Sequence, residues 1–368
     1  MRGASKYIGY TAATVGWFKA SSFPGISSLP KGMRDALVKA CNNSVSKNTW
    51  ASYNSVKKHL EKCQKIWGRR FVFPMDGPQV TVFVAYFLSD TKLKSVSVEN
   101  MLSALRMLHL TMGHYSPVLR PEIVKNMLRG RANEDALMSR CGKQRLPVTL
   151  DVLEMIRLTL KLDKKKCEKE KSLIWAVSTI AFTGGFRIGE LLSKRARTID
   201  PSYDLLKRDV KRVNRVVGGQ QKSMLLVTLK CPKEAKNNKV PIVVEIFGNQ
   251  TKYCPTMAWD NYVKLVGIKR EDSAAFRVPN SGNAYRHQRF NLDLTRMLSP
   301  LIQYGSITGH SFRSGMATFM GQSGFEDSEI QAAGRWSSDA FLRYIKLGRL
   351  TRARWASRFA QCLEKSTV

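Results

Sequence analysis

Between residues 47 and 68 the side chains of Trp50, Tyr53, Val56, Leu60, Cys63 and Trp67 recur at steps of three and four, while Lys57, Lys58, Lys62 and Lys65 fill the other positions. This period matches the α-helical turn and predicts an amphipathic helix with one core face and one basic face. Val98, Met101, Leu102, Leu105, Leu108 and Met112 form a second such stripe, and Pro74, Pro78, Pro117 and Pro121 fall between the periodic segments, where proline ends helices. A small all-helical domain is therefore expected over 28–135, behind a Ser-, Gly- and Ala-rich leader at 1–27.

Periodicity is lost in RGRANEDALMSRCGKQRLPVT, which is rich in Arg and Lys, and a basic linker is expected at 136–147. Such a connector would let the two halves close around a shared ligand; a solvated loop without that role is the alternative. Beyond Pro147 the pattern is mixed. Helices are expected at 149–161 and 171–183, then short β segments in VNRVVGGQQKSMLLVTLK and KNNKVPIVVEI, punctuated by Gly218-Gly219 and Asn237-Asn238. Helices return from 254. The expected fold is mainly α with a small β-sheet: an all-helical first domain and a mixed α+β domain over 148–368. The lysine-rich KLDKKKCEKEK at 161–171 reads as a solvated loop or helix end.

Charge narrows the function. Lys and Arg number 61 against 28 Asp and Glu, a net +33 spread along most of the chain. A surface of that kind concentrates polyanions, so nucleic acid is the first partner to consider and an anionic membrane surface the weaker one. Hydrophobic content of 43% with 24% charged residues suits a folded protein. No apolar run reaches the roughly 18 residues of a membrane span, and the first residues carry no continuous apolar stretch of a secretion signal. The seven cysteines are odd in number and form no C-x-x-C pair, which argues for reduced thiols in an intracellular protein. His59 and Cys63 lie one helical turn apart, but no second pair completes a metal site, and two residues of a packed helix is the simpler reading.

Three segments could carry chemistry. In TGGFRIGELL, Arg187 follows a Gly-Gly turn and Glu190 stands one turn on. A buried guanidinium needs an anion, which Glu190 alone could supply; a substrate phosphate is the functional alternative. In ITGHSFRSGM, His310 and Arg313 share a helix face and can address one ligand, although H-x-x-R alone also suits capping or packing. In AAGRWSSDAFLRYIK, Gly334 breaks the chain, Trp336 offers a donor-only indole, and Tyr344 follows eight residues later. Any single tyrosine of the eleven is by itself a packing residue before it is a nucleophile.

The order of these segments carries more than each alone. Arg-x-x-Glu after a glycine turn, a β region with lysines, His-x-x-Arg, Gly-x-Trp and a final Tyr closely resembles the tyrosine recombinase family, by motif over 147–350 and by helical pattern over about 45–130. HSFRSGMAT followed by GRWSSDAFLRYI looks most like recombinases of eukaryotic mobile elements, the Ngaro, DIRS and Crypton group. The resemblance implies an N-terminal SAM-like core-binding DNA-binding domain and a C-terminal catalytic domain. It implies that Arg187, His310, Arg313 and Trp336 bind the scissile phosphate, that Tyr344 attacks it to form a 3′-phosphotyrosyl bond, and that Glu190 supports the arginine and histidine from behind. The hairpin lysine that protonates the leaving 5′ oxygen matches Lys233, with Lys230 as the alternative. The Trp-to-Tyr spacing is one residue shorter than in many bacterial members. Neither metal nor cofactor is implied, since cationic side chains stabilise the charge. Lys57, Lys58, Arg106, Lys143 and Arg145 are the candidate contacts to double-stranded DNA.

The resemblance further implies a homo-tetramer on DNA that exchanges strands through a four-way junction and acts in the nucleus. RLTRARWASRFAQCLEK, with Leu350, Trp355, Phe359 and Cys362 at helical intervals, would dock on a neighbouring protomer or fold onto its own domain. Rival readings are a type IB topoisomerase-like or telomere-resolving enzyme, a domesticated DNA-binding protein without catalysis, and a nuclease using His310 as base.

Overall fold

The computed structural model describes residues 18–19, 25, 28–45, 47–91, 93–114, 119–139, 145–230, 240–302 and 305–343. The chain divides into two compact units, Met1–Gly142 and Lys143–Val368. The described residues of the first are helical: α1 (Lys31–Asn43), α2 (Lys47–Tyr53), α3 (Ser55–Trp67), α4 (Gly77–Asp90), α5 (Ser95–Thr111) and α6 (Glu122–Ser139). The predicted stripes become its core: Val56, Leu60 and Cys63 of α3 and Val98, Leu102, Leu105 and Leu108 of α5 are buried with Phe83, Val84 and Phe87 of α4. Asp76 caps α4 by accepting the Gln79 N–H at 2.8 Å, and Gly68 ends α3 in the left-handed conformation at φ 73°.

His59 and Cys63 belong to this packing. His59 Nδ1 lies 3.1 Å from the Tyr86 hydroxyl, and burial pushes the Cys63 thiol up to about 11. Among the described residues no group of three or more His, Cys, Asp or Glu side chains could hold a metal ion, and no helix is long and apolar enough to cross a membrane.

α6 runs to Ser139, beyond the expected domain end at 135. Polar anchors hold these turns in place of an apolar stripe. Asp135 accepts the Ser95 N–H at 2.6 Å and pairs with Arg131, which also donates to Leu93 O. From the other side, Arg145 bridges to Ser306 and Leu146 N–H donates to Ser306 O at 3.1 Å, so these residues belong to the second unit. The stretch expected as a linker is thereby shortened at both ends.

The second unit contains α7 (Leu150–Leu162), α8 (Glu168–Thr183), the four-residue α9 (Ile188–Leu191), three strands, α10 (Pro255–Val266), α11 (His287–Leu298), α12 (His310–Gln322) and α13 (Asp327–Gly334). Strands β1 (Val210–Val217), β2 (Gln220–Leu229) and β3 (Ile242–Phe247) form an antiparallel sheet in the order β1-β2-β3. Gly218 and Gly219, at φ 57° and 76°, make the two-residue turn that pairs Val217 with Gln220; two successive positive φ values are what such a hairpin requires. The lysine-rich stretch is the joint between α7 and α8, where Lys166 pairs with buried Asp293 at 3.4 Å and Lys171 with Glu168 at 2.8 Å. α8 is the central element: Leu173, Ile174, Val177, Ile180, Ala181 and Phe182 are all buried in the core that also takes Trp259, Tyr262, Phe290 and Phe312.

α12 lies close against the start of this unit. Val148 N–H donates to Ser311 O at 2.9 Å, and a Cβ on Gly315 would stand 2.1 Å from Val148 O. Backbone cannot yield as a flexible side chain does, so Gly315→Ala is expected to destabilise the chain by about 1–3 kcal/mol. Urea unfolding would read this as a lower midpoint at unchanged slope; an unchanged midpoint contradicts the close approach.

The first unit contains a titratable constraint. His109 is fully buried on α5, with Nδ1 2.8 Å from Leu105 O and Nε2 accepting the Met75 N–H at 3.0 Å. The acceptor role of Nε2 places the proton on Nδ1 and keeps the ring neutral. Burial, with His114 nearby, holds its pKa below the ordinary value; His59 and His287 are lowered by burial too. Well above pH ~6.5 both folded and unfolded chains carry neutral imidazoles. As pH falls through that value the unfolded chain binds protons that the folded chain refuses, and stability declines until the lower folded values are reached. The urea midpoint is therefore expected to fall from about pH 7.5 to about pH 5.5. His109→Gln, whose amide can accept from Met75 without titrating, is expected to show a shallower fall.

Candidate functional site

The site begins where α8 stops. Gly184 N–H still donates to Ile180 O, but Gly185 turns to φ +56°, and a Cβ there would lie 2.4 Å from Met316 Cε. This turn leads through fully buried Phe186 to Arg187, the N-cap of α9. Glu190 Oε2 accepts the Arg187 backbone N–H and Glu190 Oε1 accepts Arg187 Nη1, both at 2.9 Å. The side chain of Arg187 is 28% exposed and that of Glu190 12%. Arg187 is thus only partly buried and does engage Glu190, as the sequence allowed.

α12 approaches the same turn. Its first residue is His310, half-buried, and the preceding Gly309 N–H donates to Asn291 Oδ1 at 2.7 Å. A Cβ on Gly309 would sit 2.4 Å from Ile188 Cβ, so α12 starts against α9. Arg313 has no exposed surface. Its Nη1 donates to Gly185 O at 3.2 Å, its Nη2 lies 3.5 Å from Arg335 O, and its guanidinium carbon stands 4.6 Å from the centre of the Trp336 ring. The indole therefore stacks on the buried guanidinium as a cation–π partner. Gly334 makes room for it: a Cβ there would fall 1.6 Å from the indole ring.

Arg335 is the site residue that the sequence reading passed over. It stands after α13 in the left-handed conformation at φ 56°, and its side chain is 11% exposed. Nη1 donates to Gly184 O at 2.9 Å, while Nη2 donates to Gly185 O and to Glu190 Oε2, both at 3.2 Å. The available signal was an arginine directly after a helix-ending glycine, next to the tryptophan.

Of the other expected residues, Lys230 is tied down at the end of β2: Nζ pairs with Asp209 Oδ2 at 2.5 Å and donates to Asp204 O at 3.3 Å. Asp209 in turn accepts the Leu206 N–H at 2.8 Å. Lys233, Lys143, Tyr344 and the segment from 350 onward lie outside the described residues, as do Asn237 and Asn238. In the first unit Lys58 and Arg106 are exposed on α3 and α5, and Lys57 is half-buried with its pKa lowered by burial and by Lys19. Arg145 is exposed.

No family model matches the chain, and no curated protein matches it in sequence. Solved structures do. The Tn1549 transposon integrase in complex with transposon right end DNA aligns over 86% of this chain and 95% of its own, with a TM-score of 0.55 at 14% identity. The XerH site-specific recombinase bound to a palindromic difH substrate, in a post-cleavage complex, aligns over 93% and 91%, with a TM-score of 0.56 at 12% identity. The fold is that of the tyrosine recombinases. A lambda integrase dimer bound to a COC′ core site is also similar, at a TM-score of 0.51 and 14% identity over 86% of this chain and 77% of that one.

Within this fold Glu190 is a shared anion for Arg187 and Arg335. Removing one partner of a buried ion pair leaves charge uncompensated, so Glu190→Ala is expected to destabilise the chain by about 3 kcal/mol. A loss below about 0.5 kcal/mol in urea unfolding, the range of ordinary surface substitutions, would contradict the shared role.

Proposed function

We propose that the protein is a site-specific DNA recombinase of a mobile element, of the kind found in the Ngaro, DIRS and Crypton group, which cuts and rejoins duplex DNA through Tyr344. The observation that carries the proposal is that Arg187 and Arg313 belong to one hydrogen-bonded cluster, Arg187 through Glu190 and Arg313 through Gly185 O, with Arg335 bonded to both acceptors and Trp336 stacked on Arg313, inside a tyrosine recombinase fold. Two guanidiniums in one hydrogen-bonded cluster suit the non-bridging oxygens of a phosphodiester and oppose the negative charge that grows as phosphorus becomes five-coordinate. The sequence order that led to the family from the residues supports the same reading.

In this reading the phenol oxygen of Tyr344 attacks phosphorus, a new P–O bond forms to the tyrosine, and the P–O5′ bond breaks. A phenol with pKa near 10 is a weak nucleophile at neutral pH, and surrounding cations favour its phenolate. His310 donates to the phosphate or moves a proton. The departing 5′ oxygen takes a proton from a lysine. Lys233 is preferred for that role, because Lys230 is committed to Asp209 and to Asp204 O. The phosphodiester energy is kept in the 3′-phosphotyrosyl bond, so a 5′-hydroxyl from another duplex can reverse the reaction and join the strands. Four protomers on two duplexes, assembled through the C-terminal segment in the nucleus and passing through a four-way junction, complete the proposed recombination. Lys57, Lys58, Arg106, Lys143 and Arg145 would contact phosphates, which contribute affinity and register but no sequence discrimination.

The test is covalent capture. The purified chain is incubated with EDTA and nicked duplexes from a randomised pool, denatured in SDS, and its DNA-linked peptide mapped by mass spectrometry. An adduct on Tyr344, absent in Tyr344→Phe, is the expected result. Hydrolysed ends without an adduct would indicate a nuclease, and salt-sensitive DNA binding without cleavage a DNA-binding protein that has lost catalysis.

A further inference from the structure

We propose that Arg335 is a positioning residue for the reaction: its guanidinium locks the Gly184-Gly185 turn and Glu190 together and so sets both Arg187 and Arg313. The inference rests on the function proposed above. Arg335 shares a partner with each of the two arginines. Glu190 accepts Arg187 with Oε1 and Arg335 with Oε2, and Gly185 O accepts both Arg313 Nη1 and Arg335 Nη2. The backbone of Arg335 adds a further link, because its carbonyl lies 3.5 Å from Arg313 Nη2.

Two features set this residue apart from an arginine that merely covers a surface. The first is its backbone. A residue with a Cβ is costly in the left-handed region, and a helix ending there usually takes glycine; α13 takes Arg335 at φ 56° directly after Gly334. The second is the direction of the side chain. Arginine ordinarily extends its head into water, whereas Arg335 is 11% exposed, passes 5.0 Å from the Phe186 ring centre and ends on carbonyl and carboxylate oxygens 150, 151 and 145 residues away in sequence. A planar fork can serve Gly184 O with one nitrogen and Gly185 O and Glu190 with the other; the single ammonium of lysine cannot match that geometry.

The consequence is a separation of binding from chemistry. Arg335 acts through the turn and not on DNA, so its loss should slow attack without weakening the complex. The experiment measures Tyr344 adduct formation in a single turnover over a range of DNA concentrations, for the wild type, Arg335→Lys and Arg335→Gly. Glycine suits the left-handed backbone, so the second variant removes the fork while relieving the main chain. Thermal melts accompany each, and a guanidinium salt at roughly 10 mM is added to Arg335→Gly as a rescue agent supplying the missing fork.

The expected result is a plateau rate lower by roughly 10²-fold in both variants, the loss that a misplacement of about 1 Å produces. Half-saturation should stay within about twofold of wild type, a difference under roughly 0.5 kcal/mol by the conversion of 1.4 kcal/mol per tenfold. Guanidinium should restore part of the rate in Arg335→Gly and none in Arg335→Lys. A plateau rate equal to wild type overturns the proposal, as does a raised half-saturation at normal plateau rate, which would make Arg335 a DNA contact. Adduct loss in proportion to loss of folded protein also overturns it. Absence of adduct in the wild type is a separate result and refutes the recombinase reading itself.

Discussion

A guanidinium with no exposed surface must find partners inside the protein for its charge and its N–H donors, and Arg313 imposes this demand on the second unit. The response can be followed through the chain. Gly185 takes a positive φ and places its carbonyl within reach of Nη1; Trp336 lies on the guanidinium plane; the carbonyl of Arg335 stands at Nη2. A carboxylate enters one step away, where Glu190 takes Arg187 on one oxygen and Arg335 on the other. The glycines at 309, 315 and 334 then become intelligible as places where a Cβ would push α12 or the indole out of this arrangement.

Such a construction suits a reaction whose difficulty is charge. Donors that are already held by carbonyls and by a carboxylate need little reorganisation when negative charge develops, and that is where electrostatic catalysis gains most over water. In the proposed mechanism the phosphate joins an existing arrangement of cations instead of assembling one. In the same proposal the net charge of +33 would act earlier, by concentrating DNA near the protein, and would be sensitive to salt in a way the buried arginines are not.

Much of this architecture could be read in advance. The stripe from Trp50 to Trp67 and its counterpart from Val98 to Met112 became buried helix faces because a 3.6-residue period has few other outlets. Gly218-Gly219 marked the hairpin because two positive φ values are needed there. The end of α6 was less legible: its last turns rest on Asp135, Arg131 and the Ser95 amide, polar contacts that leave no apolar period to detect. At the site, Arg187, Glu190, His310 and Arg313 were legible as spacing, and the first pair is bonded as that spacing allowed. Spacing could not reveal that Arg313 and not Arg187 is the fully buried arginine, nor that Trp336 stacks on it. Arg335 was invisible for the same reason, since its partners lie some 150 residues back along the chain and an arginine after a helix is ordinarily a solvated one. Lys230, the alternative to Lys233 in the sequence, pairs with Asp209, a contact that its spacing did not announce.

The central claim is that Arg187 and Arg313 serve to neutralise a phosphate charge. It is tested most directly by removing that charge from the substrate. A duplex carrying a target captured on Tyr344 is prepared with a methylphosphonate at the scissile linkage, which replaces one charged oxygen by a neutral methyl group. Cleavage rates are then measured for the wild type and for Arg187→Ala and Arg313→Ala. If the arginines neutralise charge, each variant should lose far less relative to wild type on the methylphosphonate than on the native phosphodiester. Equal losses on both linkages would contradict the account and would mean that the arginines only maintain the fold.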